Sequence, residues 1–81
     1  MNEEGLKDIK RRLKVKFDLR SEIKGNKLYF DEFNGYIVND DKYIEVQELC
    51  ESICDLIEEE YECSCDYSLL DEGYEFSIEI F

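Results

Sequence analysis

Histidine, proline and tryptophan are absent from this 81-residue chain, and it has a single methionine. Without histidine there is no side chain whose ordinary pKa suits proton transfer near neutral pH, and no imidazole to bind a metal. No apolar run approaches the roughly 18–20 residues that span a bilayer. The segment Met1-Asn2-Glu3-Glu4-Gly5 has neither the basic nor the apolar region of a secretory signal, so a cytoplasmic protein is expected. A reducing cytosol argues against structural disulfides among the four cysteines. The sequence has no Gly-rich phosphate loop and no Ser or Cys nucleophile with an identifiable base, so no enzyme is expected. Asp40-Asp41 and Glu58-Glu59-Glu60 lack the loop spacing of a dedicated Ca²⁺ or Mg²⁺ site.

The most informative scarcity is positional. All ten Lys and Arg residues fall between Lys7 and Lys42, whereas residues 43–81 carry 13 Asp and Glu and no basic side chain. A net charge of −12 therefore divides into a first half near +1 and a second half of −13. Apolar content of 43%, including six Tyr and five Phe, is nevertheless too high for a disordered chain. One domain covering residues 1–81 is expected, of modest stability because a chain this short buries a limited fraction of its surface. The Lys, Asn, Ile, Tyr and Phe content suits AT-rich codons, as in a low-GC bacterium or its phage.

Periodicity supplies the elements. Leu6, Ile9 and Leu13 recur at helical spacing and predict a short helix over 3–13 with Asn2 as a possible cap. Leu13, Val15, Phe17 and Leu19 then alternate with Lys14, Lys16, Asp18 and Arg20, the pattern of a half-buried strand. Gly25-Asn26 and Asn34-Gly35 are turn signals, and strands are expected at 28–33 and 36–38, which makes residues 13–39 a three-stranded meander. Asn39-Asp40-Asp41 can cap a helix over 42–60, whose stripe of Val46, Cys50, Ile53, Ile57 and Tyr61 is the clearest amphipathic pattern in the chain. Cys63, Cys65, Tyr67 and Leu69 alternate with polar residues, Asp71-Glu72-Gly73 turns, and Tyr74, Phe76, Ile78 and Ile80 alternate again, which predicts a hairpin. The expected class is α+β, in the order α-β-β-β-α-β-β, with helices packed on one face of an antiparallel sheet.

Glu48, Glu51, Asp55 and Glu59 project opposite the apolar stripe of the second helix. Successive turns place such charges roughly 5 Å apart, comparable in scale to phosphates along a nucleic-acid strand. Like charges at this spacing cost a few tenths of a kcal/mol per pair, and no cation is interleaved to relieve them. The run Glu58-Glu59-Glu60-Tyr61-Glu62 also meets the negative end of the helix dipole. The hairpin adds Glu62, Asp66, Glu75 and Glu79. Solubility alone can account for such acidity; a surface that imitates phosphates and occupies the basic groove of a nucleic-acid-handling protein is the sharper alternative. Direct nucleic-acid binding is disfavoured, because residues 43–81 repel phosphates.

In its small size, its pI near 4.2, its basic-free half from Tyr43 to Phe81 and its carboxylate stripe, the chain resembles the small acidic anti-defence proteins of phages, including anti-CRISPR proteins that act as DNA mimics. The resemblance is one of class, carried by no motif. It implies a stoichiometric inhibitor of a nuclease complex. Immunity proteins that neutralise basic toxins share the same character.

Among the tyrosines, Tyr29, on the polar side of its strand, and Tyr36, after a turn, are the interface candidates. Cys50 and Cys54 sit one helical turn apart, and Cys63 and Cys65 lie on one strand face. They can be small buried hydrophobes, a four-thiolate metal site in a small structural module, or, through Cys54 and Cys63, a disulfide. No cofactor is expected.

Overall fold

The computed structural model describes residues 2–31 and 43–81. Among the described residues it has two helices and a four-stranded antiparallel sheet, an α+β arrangement in the order α-β-β-α-β-β. The predicted turn at Asn34-Gly35, the strand at 36–38 with Tyr36, and the cap at Asn39-Asp40-Asp41 lie outside the described residues.

The first helix, α1 (Glu3–Phe17), begins where expected: the Asn2 side chain accepts the Gly5 N–H at 2.8 Å. It does not stop at Leu13. The alternation read as a strand over 13–19 is helical as far as Phe17, and Val15, assigned to the apolar strand face, is 80% exposed. The reason is that Leu6, Ile9, Leu13 and Phe17 continue one stripe at spacings of three and four, the first three buried and Phe17 packed against the core. Acids in the first turn and Lys14 and Lys16 in the last also suit the helix dipole. Asp18, in the left-handed region at φ 57°, ends the helix, and its N–H reaches the carbonyls of Leu13 and Lys14.

Two short strands follow, β1 (Glu22–Lys24) and β2 (Lys27–Phe30), joined through Gly25-Asn26. Gly25 takes φ 63°, which the absence of a Cβ permits. The meander expected over 13–39 is thus, among the described residues, a hairpin over 22–30.

The second helix, α2 (Tyr43–Tyr61), matches its expected span. Val46, Cys50, Ile53 and Ile57 are fully buried beneath it, with Cys54 and Leu56 beside them. Full burial contributes roughly 1.5–3 kcal/mol for a chain the size of Val or Ile. That outweighs the few tenths per like-charge pair on the opposite face. The apolar underside therefore holds the acidic helix in place without help from its charges.

Strands β3 (Cys65–Leu69) and β4 (Phe76–Ile80) form the expected hairpin. The sheet order is β1-β2-β4-β3, so the C-terminal strand is central and pairs with both β2 and β3. The registers Leu28–Ile78–Tyr67 and Phe30–Phe76–Leu69 place these residues, with Ile23, Cys65 and Ile80, on the helix-covered face. Phe30 and Phe76 stack at 4.6 Å between ring centroids. Both helices share this single core.

Candidate functional site

The acidic residues singled out from the sequence fall on two separate surfaces. Glu48, Glu51, Asp55, Glu58, Glu59 and Glu62 are exposed along the outer side and end of α2. Asp66, Glu75 and Glu79 occupy alternate positions of the last hairpin, opposite the core-facing Cys65, Phe76, Ile78 and Ile80, and so lie on the sheet face away from the helices. The acids that the hairpin adds are therefore separated from the α2 stripe by the thickness of the sheet. Glu75 is only 5% exposed, whereas Glu79 is half-buried, with Asn26 Nδ2 at 3.5 Å.

The α2 carboxylates do unequal work. Glu58 Oε2 accepts the Cys65 N–H at 3.0 Å. In β3 the bonds to β4 are made by the even positions, since Leu70 N donates to Glu75 O and Ser64 O accepts from Phe81 N. The odd positions thus point their backbone groups away from the sheet. Glu58 covers one of these edge donors, and Asp66 Oδ1, accepting the Tyr67 N–H at 2.9 Å, covers another. Such carboxylates discourage strand addition at β3. Glu51 Oε1 is 3.4 Å from the Tyr67 hydroxyl. Glu60 pairs with Arg12 of α1 at 2.5 Å. Tyr61 donates to Asp8 of α1, and burial together with that carboxylate pushes its phenol up to about 12.

These contacts answer the charge run at the C-terminus of α2. The cation that meets it, Arg12, comes from α1 and is not visible in the local sequence. What stays turned to solvent is the stripe of Glu48, Glu51, Asp55 and Glu59, with Glu58 bordering a shallow depression shared with Asp55 and Glu59. Lys16 and Phe17 of α1 line an adjoining depression with Ser52, Asp55, Leu56 and Glu59.

On the helix-free face Tyr29 is 5% exposed, so it offers little area to a partner despite its position. Its ring lies 5.0 Å from that of Tyr74, and Lys24 Nζ sits 5.3 Å and 5.0 Å from the two ring centroids. Tyr74 donates to Glu22. Asp71, not anticipated as important, accepts from Ser77 Oγ at 2.7 Å and from Lys27 Nζ at 3.2 Å, and both hold its carboxyl below the usual range.

Cys50 and Cys54 are buried, whereas Cys63 and Cys65 are half-buried. All four are thiols. Burial pushes Cys50 up to about 12. The neighbouring Cys65 thiol holds Cys54 below its usual value, and the neighbouring Cys54 thiol together with burial pushes Cys65 up. Cys63, named with Cys54 as the pair for a disulfide, places its Sγ 3.9 Å from the Ile57 carbonyl. Among the described residues no three His, Cys, Asp or Glu side chains are grouped to hold a metal ion. No helix of the described residues is long and apolar enough to cross a membrane.

No protein-family model matches the chain, and comparison with curated proteins and with solved structures finds no match.

Proposed function

We propose that the protein is a binding inhibitor whose α2 surface imitates nucleic-acid phosphates and occupies the basic groove of a nucleic-acid-binding protein, such as a nuclease. The observation that carries this reading is the solvent-facing stripe Glu48, Glu51, Asp55 and Glu59 on a helix whose segment, from residue 43 to 81, contains no Lys or Arg. An acidic surface kept only for solubility ordinarily mixes both signs along a helix, because interleaved cations relieve repulsion at no cost to solvation. The fully buried underside of α2 presents the stripe on a rigid element, which lowers the ordering cost of binding. Charge complementarity of this kind steers association and fixes register on the partner.

The division of the carboxylates narrows the proposed interface to α2. Glu58 and Glu62 extend it at the C-terminal end, whereas Asp66, Glu75 and Glu79 belong to another surface and are not required. The test is the combined reversal Glu48→Lys, Glu51→Lys and Asp55→Lys, all at exposed positions. Capture of the basic partner by the tagged protein is expected to fall at least tenfold, with an unchanged circular dichroism spectrum. Undiminished capture by the folded variant would contradict the reading. A captured basic toxin that nucleic acid does not displace would instead favour an immunity role.

A further inference from the structure

Two side-chain bridges tie the helices together near the C-terminus of α2: Arg12 pairs with Glu60, and Tyr61 donates to Asp8. Further along, Lys16 and Phe17 at the end of α1 come beside Ser52, Asp55, Leu56 and Glu59, so the two helices run antiparallel. These six residues line a depression of about 350 Å³. Its walls are of two kinds. Leu56 belongs to the core and the half-buried Phe17 packs against it, which gives an apolar side. Asp55 and Glu59, one helical turn apart and both exposed, give two carboxylates. Among the described residues neither of these acids makes a hydrogen bond or an ion pair, whereas Glu51, Glu58 and Glu60 of the same helix are engaged. The depression also lies at the carbonyl end of α1, the negative pole of its dipole.

We propose that this depression is the anchor point for a single arginine side chain of the basic partner. The inference rests on the phosphate-imitating reading of α2 and adds the residue type the partner presents there. The walls select arginine. A guanidinium is planar, binds carboxylate through two parallel N–H bonds and stacks on an aromatic face. The compact, strongly hydrated ammonium of lysine matches these features less well. The arginine stem can lie along Leu56 and Phe17 while its head stays at the carboxylates. A cation held between Asp55 and Glu59 also relieves an i,i+4 like-charge repulsion that no ion pair among the described residues relieves.

Lys16 stands at the rim, exposed, and forms no ion pair with Asp55 or Glu59. Its charge opposes an arriving guanidinium, so removing it strengthens binding at this place. Lys10 is exposed on the same helix but does not line the depression. Neutralising Lys10 makes the same change in net charge and so separates a local effect from a general one.

The test is an NMR titration of the full isotope-labelled chain at low salt with two capped tripeptides, Gly-Arg-Gly and Gly-Lys-Gly. The arginine peptide is expected to bind about two- to fivefold more tightly than the lysine peptide, with the largest shifts at Phe17, Ser52, Leu56 and Glu59. Phe17→Leu, which keeps an apolar chain against the core, should erase that preference. Lys16→Gln should tighten the arginine peptide about twofold, and Lys10→Gln should leave it unchanged. Equal binding of the two peptides, no localised shifts with either, or shifts spread evenly to Asp66 and Glu79 would overturn the anchor. Each of those results leaves the acidic stripe to its own charge-reversal test, so the two failures are distinguishable. If Phe17→Leu fails to fold, the comparison of the two peptides on the wild-type chain decides the matter.

Discussion

Asp71 sits in the turn between β3 and β4, yet its carboxylate reaches across to Ser77 of β4 and Lys27 of β2. Both bonds favour the charged form, so its folded pKa lies below the ordinary value near 3.8. A carboxyl shifted this way adds stability that is fully present above the unfolded pKa and is lost as pH falls through the depressed folded value. Asp71→Asn should therefore destabilise the protein by about 1 kcal/mol near neutral pH, and the deficit should shrink on acidification below the ordinary carboxylate range. Urea unfolding at pH 7 and pH 3 checks this; an equal deficit at both would show that the charge is not what matters. Side-chain roles of this type are hard to read from sequence. Alternation correctly separates Cys65, Tyr67 and Leu69 from Asp66 and Ser68. It gives no hint that Glu75 and Ser77 on the polar face are buried, since that depends on the neighbouring strand and the returning turn.

At the scale of elements, Leu13 and Val15 separate the helical from the extended reading of residues 13–19. Leu13 is fully buried, and Leu13→Ala should cost about 2–5 kcal/mol. Val15→Lys, at a solvent-facing helical position, should change stability by less than about 0.5 kcal/mol. Chemical denaturation of both variants is the check, and comparable losses at the two sites would restore a strand in which both face the core. The ambiguity is physical: Leu13, Val15, Phe17 and Leu19 alternate, while Leu6, Ile9, Leu13 and Phe17 fall at helical spacing, and the two patterns share Leu13 and Phe17. The helix prevails because its stripe is already established by Leu6 and Ile9. By contrast α2 and the β3-β4 hairpin were legible, because their periodicities run uninterrupted and end at turn residues. The placement of β4 between β2 and β3 was not, since strand order depends on contacts between residues some fifty positions apart, such as Phe30 with Phe76.

Over the whole molecule, the charge asymmetry of the sequence becomes a spatial one, though not a single face. The positive residues of α1 meet the end of α2 through Arg12 and Glu60. The middle of α2 presents Glu48, Glu51 and Asp55 to solvent, with Lys16 of α1 lining a depression beside Asp55 and Glu59. The acids of the last hairpin lie across the sheet from that stripe. An acidic surface confined to one helix would contact few partner cations, so the proposed interaction should be specific in position and weakened by salt with a slope set by those few contacts. The most direct measurement is capture of the partner from a lysate of the native host by the tagged wild-type chain, over a range of salt and with duplex DNA or RNA as competitor. The account predicts a nucleic-acid-binding protein that is retained at low salt, released at high salt and displaced stoichiometrically by nucleic acid at constant salt. A captured partner that stays bound in the presence of excess nucleic acid, or the absence of any basic partner at low salt, would contradict it.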